Sequence, residues 1–321
     1  MPDENSGRGL VHAGELLKPM QRALDLTPAR AKLLDAAASI RMDPDAVERA
    51  YLARQLVQCT LPHRDPGDVE VWTRTNGSRT LVMQRGYDDY TKKLMGYPWG
   101  SIPRLLLFWI NSEAVRTNSR RLELGRTLSE FMLDLDLNPD NGTGKRSDAR
   151  RLREQMLRLF CARISFQQSG PNSRLWLSMD VTAGGELWWN HRRPQQATLW
   201  NSWIELGEKF FGAITAAPVP ADMRALRALK RSPLALDLYA WLTYKAFVVS
   251  RNGAAQTVPW AGLIAQIGAE YGRLNNFRTK ATAALRKIQT VYPGLKLRRT
   301  EHGITILAGS KPAVAPLKKP V

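Results

Sequence analysis

The chain has 321 residues, with 47 lysine and arginine residues against 29 aspartate and glutamate residues, so its formal net charge is +18. Hydrophobic residues make up 44% and charged residues 24%, proportions that exclude a mainly disordered or fibrous chain. A surplus of one sign on this scale favours a polyanionic partner, either nucleic acid or an anionic membrane surface.

A membrane location loses its best support, because no apolar run approaches the roughly 18 residues of a membrane span. The polar start of the chain also lacks a signal-peptide pattern. The two cysteines, Cys59 and Cys161, lie far apart and outside any paired spacing, which argues against a disulfide framework or a zinc knuckle. We therefore expect a cytoplasmic protein.

The N-terminal part of the chain carries two helix-start patterns followed by a hairpin pattern. Thr27-Pro28 and Asp43-Pro44 each place a good N-cap residue before a proline, which predicts helices over residues 28–39 and 44–59. Alternating apolar residues on both sides of Asn76-Gly77 then predict a β-hairpin with a type I′ turn.

Three further helices and a second hairpin follow. Ser101 caps a buried helix, the capping box from Thr127 to Glu130 opens another, and Ser147 caps a third that runs to about Ala162. Alternating apolar residues between 164 and 179 then predict two strands. Three helices followed by a hairpin is the order of a winged helix.

The same order recurs downstream. Helices are predicted after Ser232-Pro233, after Pro259 and from about Asn276, and two short strands flank the turn at 300–303. Adding 132 to seven apolar positions of the first set gives seven apolar positions of the second, which supports a duplicated fold. The seven first-set positions are Leu128, Phe131, Met132, Leu135, Leu152, Met156 and Leu159.

We therefore expect a mainly helical α+β protein with two tandem winged-helix domains and small β-hairpin wings. A short helical N-terminal segment (residues 1–60) precedes the first domain (61–200). The second domain (201–308) is followed by a tail (309–321), predicted to be disordered because it contains prolines and lysines without a periodic apolar face.

The first candidate DNA-contacting segment is 145–163, where seven basic residues oppose only Asp148 and Glu154. In a helix-turn-helix the second helix enters the major groove, and its start and the preceding loop meet phosphates. The alternative is a basic face that contacts only solvent. We expect phosphate contacts from Lys145, Arg146 and Ser147, base contacts from Arg150, Arg151 and Glu154, and a further basic contribution from Arg158.

The second candidate segment is 272–300, which carries eight basic residues and no acidic one. A merely solvated face usually mixes both signs, so this composition favours DNA contact. The helix would present Arg278, Thr279, Thr282 and Arg286, and the wing would present Arg298, Arg299 and His302. Because the threonines are short, they suit close approach to bases, and we expect Arg286 to read sequence while Lys145 holds phosphate.

Several sequence patterns resemble parts of enzyme sites but lack residues that such sites require. The stretch NGTGKRS lacks the first glycine and the hydroxyl of a phosphate-binding loop, and the aspartates at 134, 136 and 140 fit a helix end and turn. The four histidines are isolated, and we interpret the tryptophans as structural. We therefore predict no catalytic residue, no metal site and no cofactor.

Four long stretches resemble the plasmid-encoded RepA replication initiator family, and the likeness extends over about residues 56–307. The stretches are YPWGSIPRLLLFWINSEAVRT (97–117), RLELGRTLSEFM (121–132), GKRSDARRLREQMLRLF (144–160) and RSPLALDLYAWLTYKAF (231–247). This resemblance implies a protein that binds direct repeats (iterons) at a plasmid origin and helps open an adjacent A·T-rich segment. It further implies recruitment of the host initiator and replicative helicase. Related initiators often repress as dimers and initiate as monomers, so a homodimer is one implied assembly.

The residues alone indicate a sequence-specific binder of double-stranded DNA. A winged-helix transcription regulator shares every feature above, so initiation depends on the resemblance. A nickase or primase acting at an origin is the alternative from the enzyme class, and the missing histidine pair and carboxylate cluster argue against it.

Overall fold

The computed structural model describes residues 27–142, 144, 147–188, 201–267 and 271–315. The described strands form five small sheets, all of them antiparallel. More of the described residues lie in helices than in strands. This arrangement confirms the α+β class. No helix among the described residues is long and apolar enough to cross a membrane.

The elements are as follows in chain order. The first part contains α1 (Pro28–Met42), β1 (Arg49–Ala53), α2 (Arg54–Gln58), β2 (Val71–Asn76), β3 (Arg79–Gln84), β4 (Tyr87–Asp88) and β5 (Lys93–Leu94). The middle part contains α3 (Ser101–Thr117), β6 (Arg121–Glu123), α4 (Leu128–Asp134), α5 (Asp148–Cys161), β7 (Arg163–Ser169), β8 (Arg174–Ser178), β9 (Thr182–Glu186) and β10 (Trp203–Leu206). The last part contains α6 (Glu208–Ala216), β11 (Pro218–Asp222), α7 (Met223–Leu229), α8 (Pro233–Asn252), β12 (Gln256–Pro259), α9 (Trp260–Ile267), α10 (Leu274–Val291), β13 (Leu297–Arg299) and β14 (Gly303–Ile306).

The first predicted helix is confirmed, since the Thr27 hydroxyl accepts a hydrogen bond from the Arg30 N–H at the start of α1. The second predicted helix is wrong. The Asp43 carboxylate caps only a local turn, by accepting from Ala46 N–H at 2.9 Å. The chain then forms β1, whose residues after Arg49 are all buried, because it pairs with β11 and packs against α3.

Two units share one arrangement of elements. In the first unit α3, β6, α4 and α5 are followed, after the inserted strands β7 and β8, by β9 and β10, and the sheet order is β6-β10-β9. In the second unit α8, β12, α9 and α10 are followed by β13 and β14, and the sheet order is β12-β14-β13. In both sheets the first strand therefore pairs with the third. Adding 132 to Ser101 and Leu128, which begin α3 and α4, gives Pro233 and Trp260, which begin α8 and α9.

The hairpin that we expected to be the first wing has another role. Its strands exist as β7 and β8, but β7 pairs with β3, so the sheet order is β2-β3-β7-β8. Buried Leu81 and Met83 lie opposite Phe166 and Ile164 in that pairing. The strands that complete the first unit are β9 and β10. Since β10 begins at Trp203, this sheet includes residues beyond position 200, where we placed the domain boundary.

The β2–β3 hairpin is confirmed, but its turn lies one residue later than predicted. Asn76 pairs with Arg79, so Gly77 and Ser78 form the two-residue loop, and only Gly77 has a positive φ (60°). A positive φ at the first loop residue alone is typical of a type II′ turn, not type I′. Asn76 instead uses its side-chain amide to donate to the Gln58 carbonyl at 2.8 Å.

The segment predicted to be a disordered tail begins as packed chain. Ser310 and Val314 are buried, and the Tyr292 hydroxyl donates to the Lys311 carbonyl at 2.8 Å. These contacts place residues 309–315 against the second unit. Residues 316–321 lie outside the described part of the chain.

A buried ion pair joins the first helices of the two units. Arg104 on α3 donates from Nε and Nη2 to the two carboxylate oxygens of Asp237 on α8, both at 2.7 Å. His63 Nε2 lies 2.8 Å from the same carboxylate. Arg104 also donates to the carbonyls of Leu61, Pro62 and Gly100, so the connecting segment before α3 is held at the same point.

Removing this carboxylate is expected to destabilise the whole protein. Asp237→Ala leaves Arg104 buried without its counter-charge, so the free energy of unfolding in urea at pH 7 should fall by about 3–5 kcal/mol. Asp89→Ala, which removes the partner of exposed Lys92, is the control and should leave stability unchanged. Similar losses in both variants would contradict this account.

The lowered pKa of the Asp237 carboxylate predicts that the free energy of unfolding decreases in acid. Burial raises the pKa of Asp237, but the Arg104 charge and the hydrogen bonds from His63 and Arg104 outweigh it and lower the pKa to about 2. A lowered pKa gives stability that is complete above the usual aspartate range and is lost as pH falls toward 2. Urea unfolding between pH 5 and 2 should show a steeper decline in the wild type than in Asp237→Asn.

Candidate nucleic-acid interface

The candidate recognition helix of the first unit is α5. The Ser147 hydroxyl accepts from Arg150 N–H at 3.3 Å and fixes the start of the helix, as predicted. Leu152, Met156 and Leu159 are fully buried on the inner face. Outside this face, Arg150, Arg151 and Glu154 are exposed to solvent. Lys145 and Arg146, which we expected to hold phosphate, lie outside the described residues.

The C-terminal half of α5 is covered by the segment that contains β4 and β5. Gly86 approaches Cys161 so closely that a Cβ on this glycine would lie 2.5 Å from the Cys161 Cβ. Gly96 approaches the Arg158 guanidinium in the same way, with a Cβ position 2.5 Å from its Cζ. The exposed side chains of α5 outside this cover are therefore Arg150, Arg151 and Glu154, in its N-terminal half. Sequence patterns gave no sign of this covering segment.

Arg158 is engaged within the protein. Its guanidinium donates to the Tyr97 carbonyl at 3.2 Å and forms ion pairs with Glu154 and Asp65. Burial lowers the pKa of Arg153, and the Asp88 carboxylate on β4 opposes this shift. Among the basic residues of α5, Arg150 and Arg151 are thus the ones placed to reach a ligand, although Arg151 also pairs with Asp148 at 3.2 Å.

The candidate recognition helix of the second unit is α10. Its inner face buries Phe277, Ala281, Ala284, Leu285 and Ile288, as the periodicity predicts. On its outer side Thr279 and Arg286 are exposed, and Arg278 and Thr282 are half-buried. The Thr279 hydroxyl donates to the Asn275 carbonyl at 3.0 Å, which fixes its orientation on the helix.

The hairpin of β13 and β14, the predicted wing of the second unit, is anchored to the start of α9. Trp260 donates from its backbone N–H to the His302 carbonyl at 3.0 Å and from its indole N–H to the Thr300 carbonyl at 3.1 Å. Thr300 N–H donates to the Gly303 carbonyl at 2.9 Å and closes the turn. The arginines at 298 and 299 are exposed on β13, and His302 is exposed in the turn. The predicted wing residues are thus held in one rigid position.

A cleft of about 1330 Å³ connects the two candidate helices. Arg151 and Asp148 of α5 line one part of it, and Arg286 and Lys287 of α10 line another. Arg286 lines the cleft together with Arg151, whereas Arg278, Thr279 and Thr282, earlier on α10, do not line it. The cleft also includes Arg30 and Lys32 of α1, which no sequence pattern indicated.

The aspartates at 134, 136 and 140 do not form a cluster. Asp134 is the last residue of α4, and Asp136 has a positive φ of 54° and pairs with Lys230 at 2.6 Å. Within the described ranges no three His, Cys, Asp or Glu side chains lie close enough together to hold a metal ion. Whether the protein has catalytic activity or uses a cofactor stays a prediction.

One comparison with known proteins identifies a family. The family described as plasmid encoded RepA protein matches residues 97–262, which is just over half of the chain. The matched range begins before α3 and ends within α9, so it contains the first unit and the joint between the units. No curated protein and no solved structure matches significantly.

The different surroundings of Arg150 and Arg158 predict different mutant phenotypes. Arg150→Ala should weaken binding of a fluorescent DNA duplex and leave the free energy of unfolding within about 0.5 kcal/mol of wild type. Arg158→Ala should cost about 1–2 kcal/mol of stability, because it removes charged hydrogen bonds to neighbouring segments. Fluorescence anisotropy and urea unfolding measure the two effects. If the two variants had equal stability and lost equal DNA affinity, the assignment of Arg150 to DNA contact and of Arg158 to internal contacts would be contradicted.

Proposed function

The chain belongs to the plasmid-encoded RepA replication initiator family, and we propose that it initiates replication by binding repeated double-stranded DNA sites at a plasmid origin. Binding of iterons, opening of adjacent A·T-rich DNA, and recruitment of the host initiator and replicative helicase are parts of this proposal. Such a protein acts in the cytoplasm and contributes to plasmid copy control.

The observation that carries the proposal is that the two units repeat the same elements. In the sheet of each unit the last strand lies in the middle and pairs with both of the others. A helix, a strand, two helices and two strands in this order are the parts of a winged helix. In that interpretation α5 and α10 are the recognition helices, and β9–β10 and β13–β14 are the wings. Both helices bury an apolar face and present basic residues on the outer side.

The residues of the second unit divide between two kinds of DNA contact. Arg278, Thr279 and Thr282 lie in the N-terminal half of α10, the part of a recognition helix that reaches base edges. Arg298 and Arg299 lie on the wing, where contact with the phosphate backbone is expected. In the first unit Arg150 and Arg151 would contribute the corresponding contacts from the first turn of α5.

Origin opening in this proposal needs no catalytic centre in the protein. Bending a binding site costs on the order of 1–6 kcal/mol by smooth-bending estimates, and binding to several repeats supplies that free energy. The A·T-rich segment beside the repeats is then the part that unpairs. Host proteins, rather than this chain, would load the helicase and synthesise DNA.

Base-reading and phosphate-holding residues should differ in mutant behaviour. Arg278→Ala should cost about 1–3 kcal/mol of binding free energy on origin DNA and relax sequence preference. Arg299→Ala should weaken binding to origin and random duplexes equally and lower the slope of log affinity against log salt by about one. The origin probe is DNA from the region flanking the coding region, where the proposal expects direct repeats. Indistinguishable specificity profiles for the two variants would contradict these roles.

Strand opening provides the functional test. With supercoiled origin DNA and no added nucleotide, the purified protein, with host initiator supplied, should make A·T-rich DNA beside the repeats reactive to a single-strand probe. Replacing Arg150, Arg151, Arg278 and Arg286 by alanine should abolish this reactivity. Nicking, ATP turnover or primer synthesis by the protein alone would favour an enzyme. Sites over a promoter only, with normal plasmid replication in the quadruple variant, would favour a transcription regulator.

A further inference from the structure

The cleft between the two units carries an excess of positive charge. Eight basic and three acidic side chains line it. Lys230 is paired with Asp136, Arg151 with Asp148, and Arg227 with Glu48 outside the cleft. In the described part of the chain, five cations of the cleft have no ion-pair partner: Arg30, Lys32, Arg231, Arg286 and Lys287.

These five cations come from three separate parts of the fold. Arg30 and Lys32 lie on α1, Arg231 precedes α8, and Arg286 and Lys287 lie on α10. All five are exposed, so each is hydrated and costs little in the unliganded protein. Bringing them around one concavity nevertheless costs Coulomb repulsion, which a bound polyanion would relieve.

Helix ends contribute backbone charge of both signs. The starts of α1, α3, α5 and α8 contribute residues to the cleft, among them Ser101 and Ser232, and the ends of α4, α7 and α10 contribute Leu133, Leu229 and Thr290. The N-terminal end of a helix carries a partial positive charge and the C-terminal end a partial negative one. The excess of positive charge in the cleft therefore comes from its side chains.

The position of the cleft indicates which polyanion it meets. Arg151 from α5 and Arg286 from α10 line the same cleft, so a duplex that touches both helices passes over it. Its volume of about 1330 Å³ exceeds the roughly 300–1000 Å³ of a typical small-molecule site. An extended phosphodiester backbone fits these dimensions better than a single nucleotide does.

We propose that this cleft binds the DNA phosphate backbone between the two recognition helices, with Arg30 and Lys32 of α1 and Arg231 as its phosphate contacts. The inference rests on the proposed function, since it assumes one duplex held by both units. It assigns the N-terminal helix a direct part in DNA binding. Because phosphates carry no base identity, these contacts add affinity without sequence preference.

The test removes three cations together. The cleft variant is Arg30→Gln/Lys32→Gln/Arg231→Gln in the full chain. The matched control is Arg54→Gln/Arg64→Gln/Lys209→Gln, which removes three exposed cations outside the cleft and outside both candidate DNA-contacting segments, for which no ion pair is found among the described residues. Thermal unfolding first establishes that both variants are folded. Anisotropy then gives affinity against salt concentration for the flanking repeat DNA and for a random duplex of equal length.

The cleft variant should lower the slope of log affinity against log salt by about 2–3, which corresponds to about 10²-fold weaker binding at 0.15 M salt. Its ratio of affinities for repeat and random DNA should stay at the wild-type value, and the control variant should match wild type in both respects. If wild type prefers repeat DNA and the cleft variant keeps the wild-type slope, this inference is overturned while the proposed function stands. If wild type shows no preference, the proposed function itself fails.

Three further probes test for other occupants. Isothermal titration with ATP, pyrophosphate and poly-glutamate should show no saturable binding that the cleft variant loses. Saturable ATP or pyrophosphate binding that disappears in the cleft variant would identify a free-phosphate site and overturn the backbone assignment. The same result with poly-glutamate would identify an acidic protein partner instead.

Discussion

The arrangement of the molecule depends on the buried ion pair between Arg104 and Asp237. Arg104 lies on the first helix of one unit and Asp237 on the first helix of the other, so this charged contact lies at the joint between the units. A buried pair of this kind adds little net stability over an apolar contact, but it is costly to break. Its geometry therefore favours one arrangement of the two units, in which α5 and α10 border a common cleft.

That fixed arrangement has a consequence for DNA binding. Because the two units are joined, α5 and α10 present their basic residues in one relative position. In the second unit the hydrogen bond from Trp260 to the Thr300 carbonyl fixes the turn between β13 and β14. The cleft where these surfaces meet is lined by eight basic and three acidic side chains. In the proposed function, binding free energy would be spent on a DNA path that the protein imposes, and opening of an adjacent A·T-rich segment would draw on that free energy.

Local signals in the sequence predicted much of the fold. The hydroxyl caps at Thr27, Ser147 and Ser232 locate three helices, because capping depends on residues within one turn. Strand partners were harder to predict, since the alternation at Ile164 and Phe166 is the same whether β7 belongs to a wing or pairs with β3. The cover over Arg158 and the contribution of α1 to the cleft depend on tertiary contacts between distant segments, and no spacing in the sequence encodes them.

Hydroxyl-radical footprinting of the wild-type protein on its direct-repeat DNA tests the central claim most directly. Two units joined by Arg104 and Asp237, with both recognition helices on one duplex, should protect two backbone regions on the same face, about 10 base pairs apart within each repeat. A weaker protected stretch should connect them where the cleft crosses the backbone. A single protected region per repeat, or two regions on opposite faces of the duplex, would contradict the account.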